Sequence, residues 1–243
     1  MTRPSADTSS SNTPTWPGST SDPVSQSSAA PLLAIPPALR RWWRGQPRLA
    51  LEDSPAPQLI ALTAMAPVER LLVLGPDSPP LAALIADTAG LEPAPHAVLS
   101  DARLPAETTG MLVVRAEPHR LPYQDGSFDF AVVPHQLRYW DDERAQRVLE
   151  ELWRVLDHNG VAVLWEVARS RSAAVNATWS SLLGRNGAPP HLRTFGQLGQ
   201  LAYDAGFAWV QTLPLRPFLF PPGPRLTILV RKEHYTSENI GRG

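Results

Sequence analysis

Three residues in the middle of the chain have side chains that can accept a proton. His135 follows the apolar run 128–133, and Pro134 stands between them to end the predicted strand. Tyr139 and Glu166 are the alternatives. Ligands in open α/β sheets bind beyond the carboxyl ends of the strands, so an imidazole at this place is a candidate general base. A single histidine at a strand end can equally be a hydrogen-bonded structural residue.

Other reactive groupings are missing from the sequence. The chain has no cysteine, which excludes disulfides, thiolate catalysis and cysteine metal sites. Lys232 is the only lysine, so no Gly-Lys-Ser/Thr phosphate loop is present. The six histidines show no paired helical spacing and no Gly-x-Ser-x-Gly occurs, so we expect neither a bound metal nor a hydrolase. The net charge of -1 gives no reason to expect nucleic acid as a partner.

Two buried strands are predicted on either side of a helix in this central region. Residues 124–127 are turn formers, and the run 128–133 is apolar except for Asp129, as in a strand buried on both faces. Asp129 opens this strand at the end opposite His135 and is predicted to be structural. The run 161–167 is a second buried strand, and a helical connection makes the two strands parallel.

The connecting helix is predicted from Asp141 onward. Apolar residues recur there at spacings of three and four as far as Leu156, which indicates one buried stripe. The acidic start suits the positive end of the helix dipole. Asn159 and Gly160 predict a left-handed backbone at the end of the helix.

This region resembles the class I S-adenosylmethionine-dependent methyltransferases of the type 11 kind. The matching motifs are Leu121-Pro122-Tyr123, Ser127-Phe128-Asp129, Glu151-Leu152-Trp153-Arg154-Val155-Leu156 and the final glycine, Gly160. The resemblance spans roughly residues 48–232. It implies a doubly wound, mostly parallel seven-stranded α/β sheet with an antiparallel last strand. It also implies methyl transfer from S-adenosylmethionine to a small-molecule acceptor, in which the protein orients two groups and His135 takes a proton.

The resemblance further implies a cofactor site after the first strand, predicted at 68–74. The family has Asp/Glu-x-Gly-x-Gly-x-Gly there, whereas this chain keeps only Gly75, with Asp77 and Pro79 in place of the later glycines. Glycine at this turn allows positive φ and close approach of the cofactor. Asp77 can bind the cofactor's amino group or sulfonium, or it can cap the helix predicted at 81–89. Weaker cofactor binding is expected in either case.

Two further acids match cofactor positions of the family. Asp101 follows the predicted strand 96–100 and corresponds to the acid that accepts hydrogen bonds from the ribose hydroxyls. Glu117 follows the predicted strand 111–114 and corresponds to the acid that binds the adenine amine. The resemblance places Pro134 against the methyl-bearing part of the cofactor. Either acid can also be an ordinary surface carboxylate.

The last third of the sequence contains the elements that complete the sheet. The resemblance implies that the polar segment 169–190 covers the acceptor. Thr194 begins a capping box that opens a helix ending near Gly206. The runs 208–215 and 226–231 are predicted to be the last two strands, paired antiparallel. The proline-rich residues between them are expected to fold over the mouth of the pocket.

Composition divides the chain into four parts. They are a disordered tail at 1–30, a helical or lid segment at 31–66, the methyltransferase-like domain at 67–232 and a loose tail at 233–243. The first part contains 18 Ser, Thr or Pro residues and cannot bury enough apolar surface to order itself. Trp42 and Trp43 stand beside arginines, so the second part either packs on the domain or touches a membrane surface. No apolar run is long enough for a membrane span or a signal core, which favours a cytoplasmic protein.

Three functions are compatible with these patterns. The first is an active S-adenosylmethionine-dependent methyltransferase, which Asp101, Glu117 and His135 favour. The second is a catalytically inactive methyltransferase-like protein that serves as a binding or regulatory module, which the altered first motif favours. A nicotinamide-binding protein is third, because the chain lacks Gly-x-Gly-x-x-Gly.

Overall fold

A computed structural model describes most of the predicted domain. The described residues are 68–75, 78–92, 94–99, 110–184, 188–213, 218–219 and 222–232. The predictions for 1–30, 31–66 and 233–243, and with them Trp42 and Trp43, lie outside these ranges. The division of the chain into four parts therefore stays a prediction.

The described residues form nine strands, four α-helices and one 3-10 turn. The strands are β1 (Leu71–Leu74), β2 (His96–Leu99), β3 (Leu112–Arg115), β4 (Phe128–Pro134), β5 (Leu156–Val167), β6 (Trp209–Leu213), β7 (Phe218–Leu219), β8 (Pro222–Gly223) and β9 (Arg225–Arg231). The helices are α1 (Ser78–Ala89), α2 (Asp142–Val155), α3 (Ala173–Leu183), α4 (Phe195–Asp204) and a single 3-10 turn (Leu137–Tyr139).

Seven of these strands form one mixed sheet in the order β3-β2-β1-β4-β5-β9-β6. Strands β1 to β5 are parallel, whereas β9 is antiparallel to both β5 and β6. The predicted doubly wound, mostly parallel α/β fold is therefore confirmed. The strand order reverses between β1 and β4, and a crevice for ligands opens beyond the carboxyl ends of strands at such a point.

Both faces of the sheet are covered, which explains the nearly continuous apolar runs. In β4, Ala131 and Val133 pack with α2 and α4, while Phe130 and Val132 pack on the α1 side of the sheet. All four side chains are buried. If only one face of the sheet were buried, apolar and polar residues would alternate along each strand. The helix predicted from Asp141 is also confirmed, because the Asp141 carboxylate accepts a hydrogen bond from the Arg144 backbone N–H.

The predicted left-handed helix end at Asn159 and Gly160 is wrong. Helix α2 ends at Val155, and the chain is already extended at Leu156, where β5 begins. Neither Asn159 nor Gly160 has a positive φ. A Cβ on Gly160 would instead lie 2.8 Å from the Leu156 Cβ and 3.0 Å from the Asp157 carbonyl oxygen. This glycine is needed for space rather than for backbone handedness.

A helix that the sequence did not predict lies within the polar segment 169–190. Helix α3 begins after Ser172, whose hydroxyl accepts a hydrogen bond from the Val175 backbone N–H. It buries Trp179 together with two leucines. The polar residues of the segment 169–190 obscured the few apolar residues that form this buried stripe. The capping box at Thr194 is confirmed, with hydrogen bonds in both directions between Thr194 and Gln197.

Candidate active site

Gly75 ends β1 at the crevice and has the unusual backbone that the sequence predicted for it. Its φ is +118°, a region that residues with a side chain rarely adopt. Its N–H donates to the Val98 carbonyl at 2.8 Å, which fixes the turn. A Cβ added here would lie 2.6 Å from the Gln136 Cγ. The loop after β4 therefore packs directly on the bare backbone of Gly75.

Two buried polar side chains flank Gly75 without a hydrogen-bond partner in the described residues. The amide Nε2 of Gln136 is one of them, and the hydroxyl of Ser78, at 0% exposure, is the other. The Ser78 backbone N–H donates to the Gly75 carbonyl at 2.9 Å, so this hydroxyl is held at the start of α1. Leaving a buried donor unpaired costs about 1–3 kcal/mol. A ligand in the crevice would remove that cost.

His135 stands directly after β4 in a left-handed backbone conformation. Its φ is +56°, and it is the one non-glycine residue with positive φ in the described part of the chain. Its N–H donates to the Trp165 carbonyl at 2.7 Å, and its buried ring lies 4.6 Å from the Trp165 ring, centroid to centroid. Strained backbone of this kind is concentrated at functional sites. Pro134, also predicted for the site, is buried and pairs with Trp165 in the sheet.

Glu117 lies beyond β3 at the same edge of the sheet. Its carboxylate is 54% exposed and meets the Arg144 guanidinium at 3.3 Å. A bridge between Glu117 and Arg120 holds the backbone of this turn. Asp77 and Asp101 lie outside the described residues, so their predicted roles stay predictions. The structure thus packs the loop that carries His135 against Gly75, through Gln136, and places the exposed Glu117 beyond the end of β3.

A buried ion pair next to His135 was missed in the sequence. The Arg138 Nε lies 2.9 Å from Glu166 Oε2, and the Arg138 backbone N–H donates to Glu166 Oε1 at 3.2 Å. Both side chains are almost fully buried. Glu166 was an alternative general base, but both of its oxygens face Arg138. A glutamate inside the apolar run 161–167 was the available signal, because a buried carboxylate requires a partner.

Arg193 holds the 3-10 turn that carries Arg138. Its two terminal nitrogens donate to the carbonyls of Leu137 at 2.6 Å and Trp140 at 2.7 Å, and its Nε donates to Asp142 at 2.9 Å. The His191 backbone N–H donates to the Arg138 carbonyl at 2.7 Å. The loop after β4 is therefore fixed by the segment that precedes α4. Nothing in the local sequence indicated this long-range contact.

The motifs that carried the family resemblance lie at the opposite, amino edge of the strands. The Arg154 guanidinium donates hydrogen bonds to the carboxylates of Glu151 and Asp125 and to the backbone carbonyls of Leu121 and Tyr123. The hydrogen bonds from Arg154 lower the pKa of the Glu151 carboxyl below its usual range. These motif residues therefore stabilise the fold and do not touch the crevice.

Two negative findings apply to the described residues. No group of three or more His, Asp or Glu side chains among them is placed to hold a metal ion. None of the described helices has the length and apolar character needed to span a lipid bilayer.

Comparison with known families agrees with this geometry. Residues 74–164, which run from the end of β1 into β5, match the family described as Methyltransferase domain, in its type 11 form. These residues form a class I, type 11-like methyltransferase domain. The comparison with curated proteins found no match.

Solved structures share the fold of this methyltransferase domain. The S-adenosylmethionine-dependent methyltransferase SibL in its apo form is 16% identical, with a TM-score of 0.61 over 83% of this chain and 60% of SibL. PigF with SAH is 16% identical, with a TM-score of 0.57 over 81% of this chain and 59% of PigF. A SAM-dependent methyltransferase from Thermotoga maritima is 21% identical, with a TM-score of 0.55 over 80% of this chain and 98% of that protein. This chain therefore spans about three fifths of SibL and PigF.

Proposed function

We propose that this chain is an S-adenosylmethionine-dependent methyltransferase that acts on a small-molecule acceptor. The observation that carries the proposal is the pair of buried, unpartnered polar groups beside Gly75, the Ser78 hydroxyl and the Gln136 amide. They lie where the strand order reverses, the usual place for a ligand in this type of sheet. The domain match over residues 74–164 and the likeness to PigF with SAH support the same ligand class.

The described residues fit such a cofactor. The Ser78 hydroxyl and the Gln136 amide can each donate a hydrogen bond to an oxygen of the ligand, and the Gln136 amide lies against the backbone of Gly75. We assign Glu117 to the adenine amine, since its exposed carboxylate lies at the carboxyl edge two strands from β1. Asp101 is proposed for the ribose hydroxyls and Asp77 for the amino group or sulfonium.

The chemistry requires little from the protein beyond orientation and proton transfer. S-adenosylmethionine, when bound, supplies a methyl group on an electrophilic sulfonium. His135 is the proposed general base, which takes the proton that the acceptor's nucleophilic atom loses. Its backbone N–H bonds to the Trp165 carbonyl, and its buried ring packs 4.6 Å from the Trp165 ring, centroid to centroid. Pro134 forms part of the apolar wall beside it, and a buried site excludes competing water.

A catalytically inactive binding or regulatory module is the second candidate. It is favoured by the Gln136 side chain, which lies directly over Gly75, and by Pro79 and Pro80, which remove two N–H donors from the first turn of α1. Both features reduce the space and the donors available to a bound cofactor. The two candidates differ in whether the crevice binds S-adenosylmethionine at all.

Cofactor binding is the experiment that separates these candidates. Thermal unfolding and calorimetry of the full chain should be followed with S-adenosylmethionine, with SAH and with NAD⁺ as the control ligand. At about one hundred times its Kd, a ligand that binds the native state adds about 2.7 kcal/mol to the free energy of unfolding. We expect both adenosyl compounds to stabilise the protein and NAD⁺ to have no effect. A flat response to both compounds up to millimolar concentration would contradict the enzyme proposal.

The role of His135 is tested with His135→Asn. Asparagine tolerates the left-handed backbone at this position and lacks a basic imidazole. We expect cofactor affinity to be kept and turnover to fall by about 10²-fold or more, the usual contribution of a general base. Unchanged turnover would remove His135 from the catalytic role.

A further inference from the structure

Arg138 carries buried hydrogen-bond donors that the fold does not use. Its side chain is 1% exposed, and its terminal nitrogens Nη1 and Nη2 have no hydrogen-bond partner among the described residues. The ion pair with Glu166 joins Nε to Oε2 at 2.9 Å, and this Nε–H is not aligned as a hydrogen bond to the carboxylate oxygen. Glu166 therefore balances the charge of the guanidinium without satisfying its donors.

A purely structural ion pair would be arranged differently. Buried charges are stable in proteins when hydrogen bonds satisfy the remaining donors, and a guanidinium that lacks them costs free energy. Arg154 shows the satisfied case in the same chain, since all three of its guanidinium nitrogens donate hydrogen bonds. The unused N–H groups of Arg138 therefore indicate a partner that binds from outside the described fold.

The position of Arg138 is fixed before any such partner arrives. Arg193 and the His191 backbone hold the 3-10 turn from one side, and the Tyr139 ring centroid lies 5.9 Å from the Arg138 Cζ. This distance lies within the range of a cation–π contact, which further restricts the guanidinium. A pre-organised donor pair binds a ligand without the entropy cost of ordering a flexible side chain.

We propose that the Arg138 guanidinium binds a neutral carbonyl oxygen, such as that of an amide, ester or ketone, on the methyl acceptor. The inference rests on the proposed function, because Arg138 follows the candidate base His135 by three residues at the same edge of the sheet. One carbonyl oxygen has two lone pairs and accepts from both terminal nitrogens. Arg138 is thereby the residue that determines which acceptors bind.

The charge balance around Arg138 favours a neutral carbonyl over a carboxylate as the bound group. An unpaired guanidinium would bind a carboxylate in bidentate fashion. Here Glu166 already neutralises Arg138, so a second carboxylate would bring an uncompensated negative charge into a buried site. A neutral carbonyl satisfies the same N–H groups without that cost. Glu166 is therefore a positioning residue that sets the charge preference of the site.

Benzamide and benzoate are suitable probes, because they share size and shape and differ in the charge of the oxygen-bearing group. Binding is followed in ¹⁵N-labelled full-length protein through the Arg138 Nε–H and Trp165 indole N–H resonances. We expect wild type to bind benzamide about tenfold more tightly than benzoate, the effect of one hydrogen bond set against one buried charge. Equal or tighter binding of benzoate, or no saturable shift with either probe, would overturn the proposal.

Two variants test the assignment to Arg138 and Glu166. Glu166→Gln removes the balancing charge and should reverse the preference toward benzoate. The double variant Arg138→Met/Glu166→Leu removes both charges, which a fold tolerates better than one unpaired charge, and should bind neither probe. Retained benzamide binding in the folded double variant would refute the site. Circular dichroism establishes folding, and the double variant keeps the test decisive if Glu166→Gln is unstable.

The probes are titrated with and without SAH, whose own binding is measured by calorimetry. If SAH does not bind but benzamide shows the expected pattern, the proposed function fails and the carbonyl site stands. If SAH binds but the benzamide pattern is lacking, this inference alone fails.

Discussion

Selected buried polar groups at the two edges of the sheet differ in how fully they are hydrogen-bonded. At the amino edge, Arg154 donates five hydrogen bonds, and the Asp129 carboxylate accepts from the backbone N–H groups of residues 69 and 70. At the carboxyl edge, Ser78, Gln136 and Arg138 carry buried side-chain nitrogens or oxygens with no hydrogen-bond partner in the described part of the chain. Both edges belong to the same parallel strands.

This difference separates residues that hold the fold from residues that await a ligand. A satisfied buried polar group contributes to stability, whereas an unsatisfied one costs stability and persists when function requires it. Removal of a satisfied polar group should therefore lower stability and leave binding unchanged, whereas removal of an unsatisfied one should raise stability and weaken binding. The predictions below test this contrast, beginning with the largest expected effect.

Loss of Arg154 should be the most destabilising of these changes. Arg154→Met removes hydrogen bonds to two carboxylates and two carbonyls, and leaves the partly buried Glu151 without its partner. We expect the free energy of unfolding to fall by about 3 kcal/mol. The matched control is Arg147→Met, which breaks an exposed pair with Glu143 and should cost less than about 0.5 kcal/mol. Urea denaturation measures both, and equal losses would contradict the role of the amino edge.

A side chain on Gly75 should damage the carboxyl edge. Gly75→Ala combines a φ of +118° with a Cβ that collides with Gln136, so we expect a loss of about 2 kcal/mol or more and strongly weakened cofactor binding. Gly90→Ala is the control, because its φ is +64° and no described atom lies within 4 Å of the added Cβ. It should cost about 1 kcal/mol and leave binding unchanged. The comparison uses thermal unfolding and cofactor calorimetry.

Two serine-to-alanine changes compare the edges directly. Ser78→Ala removes a buried hydroxyl without a described partner, so stability should rise by about 1 kcal/mol while cofactor affinity falls. Ser127→Ala removes a hydroxyl that donates to the Gln124 carbonyl at 2.7 Å, so stability should fall by about 0.5–1 kcal/mol with affinity unchanged. If both variants are destabilised and bind the cofactor normally, the contrast between the edges is wrong.

The smallest expected effect is a pH dependence from His96 at the start of β2. Burial lowers the pKa of His96 from its ordinary value of 6.5, and its Nδ1 lies 3.0 Å from the Tyr123 hydroxyl. The neutral ring is therefore favoured in the native state. Its contribution to stability is present above pH 6.5 and is lost as the pH falls through the lowered pKa. Urea denaturation of wild type and of His96→Leu should be measured at a series of pH values from above 6.5 downward. The free energy of unfolding should depend less steeply on pH in the variant.

The order of the strands and helices could be predicted because each element carries its own pattern. The apolar run of β4 and the stripe of α2 depend on local spacing and matched the structure. The end of α2 was misplaced because Asn159 and Gly160 resemble a helix cap, whereas the chain is already extended at Leu156, which pairs with Phe128 of β4. Helix α3 was missed because the polar residues on either side of it made the segment 169–190 appear polar as a whole.

The candidate site could be predicted only in part. Gly75 was a candidate because it matches the glycine motif of the family, and His135 because it follows the end of a predicted strand; their roles in the site stay predictions. Arg138 and Glu166 stand 28 residues apart in sequence, and their ion pair depends on the pairing of β4 with β5. The contact from Arg193 to the 3-10 turn spans more than 50 residues and has no local signal.

The sequence by itself determined the strands and helix of the central region, because these depend on periodicity, and its resemblance to a known family implied the fold class and the altered first glycine motif. Only the tertiary structure decided which polar groups are satisfied. Hydrogen bonding is a property of positions in space, so a composition pattern cannot distinguish the fully bonded Arg154 from Arg138, whose terminal donors are unused. That distinction is the physical basis for the proposed acceptor site.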